Sequence, residues 1–253
     1  MRNKKILIEA VIASVDDAIQ AEKGGVDRIE LNSAMFFGGL TPFPGTITEV
    51  KKRVRIPVMI MIRPRSGGFD YTELEFESMK EDVRFAIDKG VEGIVFGILN
   101  QNGEICEKRC EQIMKITQGK CEIVFHRAFD VTPNPLKSME TLIKLGFTRI
   151  LTSGQQKSAI EGAGLLKEMI EKADGRIQIL PGCGVRKNNV KNLIKMIGCD
   201  QVHLSGFKDK EDNSALNGKQ LIHFSSSIYL PEKIYQIADP RKFSDVREEI
   251  DSI

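Results

Sequence analysis

The chain has 253 residues, 41% of them hydrophobic and 28% charged, which is ample for one large core and argues against disorder or low complexity. Its 37 basic and 35 acidic residues leave a net charge of +2 with no basic block, so composition points away from nucleic acid, and no apolar run approaches the roughly 18 residues of a membrane span. The five cysteines are odd in number and scattered, which excludes a disulfide framework and fits a reducing, cytoplasmic setting.

Arg2, Lys4 and Lys5 precede an apolar stretch in the manner of a secretory signal, but Glu9 interrupts it and no small-residue cleavage site follows. The stretch reads instead as a first strand, over 6–11. Further β-branched or aliphatic runs follow at 28–31, 57–62, 93–96, 122–125, 149–152, 178–180 and 201–204, starting 22 to 36 residues apart. The segments between them carry helical periodicity. Phe76, Met79, Val83 and Ile87 share one face, as do Leu136, Met139 and Ile143, and Val190, Leu193, Ile194 and Ile197. Ser14, three residues before Asp17, resembles a capping box, and Gly146 is a helix stop. The phrases at 23–29, 89–94 and 145–150 repeat one pattern, a helix closed by Gly and followed at once by a strand.

Eight strands alternating with helices in about 250 residues predict an α/β fold, a single (β/α)₈ barrel of the TIM type over 1–253; a doubly wound open sheet is the weaker alternative. An atypical segment, 206–253, follows strand eight and is expected to pack on the barrel. Within it 206–220 reads as a charged loop, 223–230 as an extended stretch and 244–253 as a final helix.

Chemistry in such barrels gathers at the carboxyl ends of the strands. Glu9 lies inside the first strand, and Glu30 and Asn32 end the second. Arg63 and Arg65 flank a proline after the third, and His126, Arg127 and Asp130 follow the fifth. Ser153 ends the sixth, Gly182 and Gly184 open the loop after the seventh, and His203 and Ser205 end the eighth. Charged groups inside apolar strands cost several kcal/mol unless paired, so this convergence points to a site. Glu9, Glu30, His126 and Asp130 are the candidate catalytic groups. Close carboxylates push their pKa values apart, as proton transfer requires, and with His126 they also make a two-carboxylate, one-histidine metal set. Asn32, Arg63, Arg65, Arg127, Ser153, Gly182, Gly184 and Ser205 are the candidate substrate-binding groups. The arginines suit a small anion, and the glycines let backbone N–H groups approach a phosphate. The competing explanation is an internal ion-pair network in which Arg63 and Arg127 neutralise Glu9 and Glu30. No lysine stands at a strand end, which argues against a Schiff-base aldolase. Cys106 and Cys110, four apart, share a helix face and form a candidate Cu(I) pair, whereas Cys121 and Cys199 fall at the opposite end of the barrel and only Cys183 reaches the catalytic face.

Several motifs resemble the CutC family. They are Leu-Ile-Glu-Ala (7–10), Gly-Val-Asp-Arg-Ile-Glu-Leu (25–31), Gly-Gly-Leu-Thr-Pro (38–42), Ile-Arg-Pro-Arg-Ser-Gly-Gly-Phe (62–69), Phe-His-Arg-Ala-Phe-Asp (125–130), Arg-Ile-Leu-Thr-Ser-Gly (149–154) and Pro-Gly-Cys-Gly-Val (181–185). The resemblance implies a cytoplasmic barrel, often a homo-oligomer, serving copper homeostasis through copper tolerance, trafficking or binding. It also implies cysteines near the ends of the first two strands in members proposed to bind Cu(I). Here those stretches read Ala10-Val11-Ile12-Ala13 and Leu31-Asn32-Ser33, without a thiol. Copper homeostasis, through copper binding or trafficking, is therefore the expected function, and an enzyme acting on a small anionic substrate such as a sugar phosphate is the alternative.

Overall fold

The structure, a computed structural model, describes residues 5–215 and 233–253. Eight parallel strands form the sheet: β1 (Leu7–Ile12), β2 (Arg28–Leu31), β3 (Val58–Met61), β4 (Gly93–Phe96), β5 (Glu122–Phe125), β6 (Arg149–Thr152), β7 (Gln178–Pro181) and β8 (Gln201–Ser205). Each expected strand lies within a residue or so of its observed counterpart. The ladder runs β7-β6-β5-β4-β3-β2-β1-β8, which curls the sheet into a nearly closed (β/α)₈ barrel. At the seam β7 lies against β8, and Gln201 Nε2 donates to Gln178 Oε1 at 3.2 Å.

Helices α1 (Val15–Lys23), α2 (Pro44–Arg53), α3 (Glu73–Asp88), α4 (Glu107–Thr117), α5 (Pro135–Leu145), α6 (Ala163–Ala173) and α7 (Lys187–Ile197) follow the first seven strands in turn. The period of two along the strands divides the core. Outward-facing Ile8, Ile29, Ile60, Phe96, Phe125 and Val202 join helix residues such as Phe76, Met79 and Leu193 in one continuous apolar layer. Of the inward-facing residues, Met59, Met61, Val95, Val124, Leu151 and Leu180 make a small apolar cluster inside one side of the barrel. Most of the remaining inward positions are polar. Ser14 caps α1 by accepting the Asp17 N–H at 3.0 Å, but Asp17 does not return the bond as a capping box requires. Its carboxylate instead accepts the N–H of Ala13 at 3.1 Å and of Ala238 at 2.7 Å, tying the C-terminal segment to α1. Gly146 ends α5 in the left-handed conformation, as its position predicts.

Beyond β8 the described part of 206–220 is not a loop. Phe207–Glu211 forms β9, antiparallel to β10 (Ile234–Ala238), because this charged stretch finds a partner strand more than twenty residues later. The extended stretch expected at 223–230 lies outside the described residues. The final helix, α8 (Pro240–Asp251), starts four residues earlier than expected, at a proline compatible with a first helical turn. It packs between α7 and α1 and so supplies the barrel's eighth helix. Phe243 fits there because Gly24 and Gly206 leave room: a Cβ on either would fall 2.8 or 2.7 Å from Phe243 atoms. Among the described residues no helix is long and apolar enough to cross a membrane.

Candidate functional site

Inside the barrel the polar inward positions join across strands. Glu9, Arg28 and His203 are neighbours because β1 pairs Glu9 with Arg28 on one side and with His203 on the other. Arg28 Nε donates to Glu9 Oε2, and His203 Nδ1 lies 2.8 Å from Glu9 Oε1. From Arg28 the chain of bonds continues through Gln201 (3.1 Å) and Gln178 to Arg149 (2.9 Å), which reaches Glu122 at 2.8 Å. Glu9 is thus neutralised by Arg28 and His203, and neither Arg63 nor Arg127 has a part in it. Burial alone would push the Glu9 carboxyl up, but the Arg28 guanidinium and the His203 hydrogen bond and charge overcome it and hold the group well below the usual carboxylate range.

Above this network, at the carboxyl ends of the strands, opens a cavity of about 570 Å³. Glu30, Asn32, Arg63, His126, Arg127, Asp130, Gly184 and Ser205 of the expected set line it, joined by Arg186, His203 and Cys183. Glu30 is 2% exposed; Asn32 Nδ2 donates to its Oε1 at 2.8 Å, leaving Oε2 without a partner among the described residues. Burial, reinforced by the Glu9 charge, raises the Glu30 carboxyl against the pull of His203. Burial tends to lower the His203 imidazole, but the Glu9 hydrogen bond and the two carboxylate charges raise it. His126 behaves in the opposite way. Its Nδ1 accepts the Ala128 N–H at 3.1 Å, so the neutral ring carries its proton on Nε2. Burial and then the Arg63 charge push its pKa down to about 3. The site therefore holds one carboxyl lowered below its ordinary range, one raised above it and a neutral imidazole donor, with Glu30 Oε2, Asn32 Oδ1, Arg63 Nε and His126 Nε2 all buried and unpartnered among the described residues. Such atoms are costly to bury alone, and a polar ligand would satisfy them.

The remaining candidates are placed around the cavity. Arg63 Nη1 and Nη2 donate to the carbonyls of Phe37, Gly38, Gly39 and Gly67, so it braces two loops while facing the cavity. Arg65 lies outside it, bonded to Glu75 at 2.6 Å and to the carbonyls of Ser66, Gly68 and Asp70. Asp130 accepts from Thr152 Oγ1, from the Ser153 and Gln155 N–H groups and from Ser153 Oγ, and pairs with Arg127 at 2.8 Å. Ser153 serves that cluster without lining the cavity. Gly182 also stays off the lining: a Cβ there would meet Leu151 at 2.7 Å and His203 at 3.3 Å, so it lets strand seven close on the histidine. Cys106 caps α4 and Cys110 is buried one turn on, where burial and then the neighbouring Cys106 push its thiol far up, against the thiolate that Cu(I) prefers.

Arg28 and Gly97 are supporting residues that strand-end reasoning passes over. Arg28 opens its strand rather than ending it; its signal is a basic residue two positions before Glu30 in the same short run, hence on the same inward face. Gly97 has its Cβ position 2.5 Å from two atoms of the His126 ring. Gly97→Ala is expected to cost about 1–3 kcal/mol by overpacking, read from urea denaturation. A loss under about 0.5 kcal/mol would show that the ring moves aside freely.

The CutC family profile matches residues 6–208. A CutC family protein of Treponema denticola is 47% identical over 93% of this chain and 95% of its own. The human copper homeostasis protein cutC homolog is 39% identical over 93% of this chain and 86% of its own. The solved structure of CutC from Streptococcus agalactiae superposes with a TM-score of 0.75 at 37% identity, covering 78% of this chain and 97% of that one. With its motifs, its barrel and these relatives agreeing over most of its length, the chain belongs to the CutC family.

Proposed function

We propose that this chain is a copper homeostasis protein, the role carried in the name of its human relative, and that it performs it through the cavity at the barrel mouth rather than through thiols. The observation that carries this reading is the set of buried, unpartnered polar atoms turned on one cavity, set against a cysteine pair whose inner thiol is buried in apolar surroundings. The donor set of the cavity is carboxylate, amide, imidazole and guanidinium. It does not suit Cu(I), which prefers soft sulfur ligands, so copper itself is not assigned to it. On the family resemblance, the protein works as a cytoplasmic homo-oligomer.

Copper tolerance, measured in cells that lack their own relative of this protein, tests the reading. Glu30→Gln is expected to abolish rescue, and Cys106→Ser with Cys110→Ser to retain it. Loss of rescue with the thiols alone would overturn the cavity reading. Anaerobic Cu(I) titration against a competing chelator is expected to give the same affinity for the double cysteine variant as for the original chain.

A second reading, an enzyme acting on a small anionic substrate, is favoured by one observation. His126 presents a neutral N–H donor opposite carboxylates whose proton affinities are pushed apart, with the half-exposed Arg127 at the rim. Thermal-shift screening of sugar phosphates and other small anions tests it, with His126→Asn expected to weaken any ligand that binds.

A further inference from the structure

At the cavity floor, Glu9, Glu30 and His203 bring one ligand atom each within 4.8 Å of one another, and all three are buried. We infer that these three residues form a centre for one divalent cation of hard or borderline character, with its open side turned to the cavity. Glu30 and His203 line that cavity, while Glu9 closes the site from below.

Three observations support the assignment. The first is the treatment of the carboxylates. Each has one oxygen held by a neighbour, Glu9 Oε2 by Arg28 and Glu30 Oε1 by Asn32 at 2.8 Å. This is how outer partners orient the ligands of a metal site. The second is Glu30 Oε2 itself, a carboxyl oxygen in a residue 2% exposed with no partner among the described residues, in a group of side chains that cluster around one point. The third is spacing. Glu9 Oε1 and His203 Nδ1 are 2.8 Å apart, close to the roughly 3 Å that separates adjacent ligands each about 2.1 Å from one ion. Binding through Nδ1 replaces that hydrogen bond with two metal–ligand bonds, and the imidazole Nδ1 proton, together with any proton held by the Glu30 carboxyl, leaves to solvent. Arg28 remains on the second oxygen of Glu9, where it lowers affinity by its charge but fixes the ligand's geometry.

Two carboxylates and one imidazole suit Mn(II), Zn(II) or Fe(II) and disfavour Cu(I). Three protein ligands with an open side are the arrangement of sites in which an ion also contacts a bound small molecule. The sequence anticipated this class of site with His126 as its nitrogen ligand. The register of β8 on β1 puts His203 there instead, and His126 stands apart as a neutral donor.

The test uses the full chain, purified, stripped with chelator and free of copper. Mn(II) is titrated with free ion counted by electron paramagnetic resonance, and Zn(II) by calorimetry in the Cys106→Ser, Cys110→Ser background. One equivalent of ion per chain is expected. Glu30→Gln and His203→Gln should each weaken it at least tenfold, and Asn32→Ala, which leaves all three ligands in place, by roughly tenfold. Circular dichroism melts establish that each protein is folded. Absence of saturable binding of both ions to the folded original chain would overturn the centre, as would affinity unchanged in all three variants. Because no copper enters this experiment, its failure leaves the copper-tolerance reading standing, and failure of the tolerance assay leaves the centre standing.

Discussion

Arg28→Met is expected to cost about 3–5 kcal/mol of folding stability near neutral pH, because it strands a charge inside the barrel. Glu9 is 1% exposed and Arg28 is buried beside it, so no water replaces the guanidinium once it is gone. The loss also cuts the bond from Arg28 to Gln201, the link through which the network reaches Gln178, Arg149 and Glu122. At roughly 2–4 °C per kcal/mol for a chain of this size, the midpoint of thermal unfolding should fall by about 6–20 °C. Glu9→Met combined with Arg28→Met should recover most of the loss, since two apolar side chains of similar volume carry no unpaired charge. Acid sensitivity supplies an independent reading. The Glu9 carboxyl is held below its unfolded value, so its contribution is present above the unfolded pKa of about 4.3 and lost as pH falls toward the folded value. Removing Arg28 weakens what holds it down and should flatten that acid limb. A loss below about 1 kcal/mol in urea denaturation would mean that His203 alone neutralises Glu9.

The barrel itself was legible because its determinants are local. Strand runs such as 93–96 and 122–125 are short, β-branched or aliphatic and bounded by glycine or polar turns, and strand order in a barrel follows chain order. Glu30, Asn32, Arg63, His126, Arg127, Asp130, Gly184 and Ser205 were placed on the cavity by the same logic, since their positions at strand ends leave few other destinations. What the sequence left open was pairing. Whether Glu9 meets Arg28, Arg63 or Arg127 depends on register between strands, which carries no local signal; β1 sets Glu9 opposite Arg28 and His203 and so decides it. Parity would have narrowed the choice. Positions 201, 203 and 205 of β8 alternate in the same sense as 9 and 11 of β1, which puts His203 inside the barrel with Glu9. Arg65 illustrates the converse. Two residues from Arg63 across Pro64, it turns outward to Glu75, a partner supplied by the first turn of α3 that no motif around the arginine announces. The β9–β10 hairpin was missed for the same reason, because its strands are separated by more than twenty residues.

Acidification is expected to destabilise this protein through His126, by an amount that one substitution removes. The ring lies among Phe69, at 5.0 Å between centroids, Phe125 and the backbone of Gly97, with the Arg63 charge nearby. Folded, its pKa is pushed down to about 3, by burial first and by Arg63 second. Unfolded, it titrates near 6.5. Between those values the unfolded chain binds a proton that the folded chain refuses, so stability is highest above pH ~6.5 and falls with a slope of up to about 1.4 kcal/mol per pH unit as the solution is acidified. Going from about pH 6.5 to about pH 4.5 should therefore remove roughly 2–3 kcal/mol through this residue alone. His126→Asn keeps an acceptor for the Ala128 N–H and removes the titration. Measured by urea denaturation at both pH values, the variant should lose that much less than the original chain, while contributions from Glu9 and the other carboxylates, common to both proteins, cancel in the comparison. Parallel losses would mean that the imidazole takes up its proton inside the fold and that Ala128 N–H does not hold Nδ1. The expected result has a consequence for the cavity. A histidine that stays neutral down to acid pH is a poor general base but a constant hydrogen-bond donor, and it offers Nε2–H to a bound ligand without the cost of desolvating a charge.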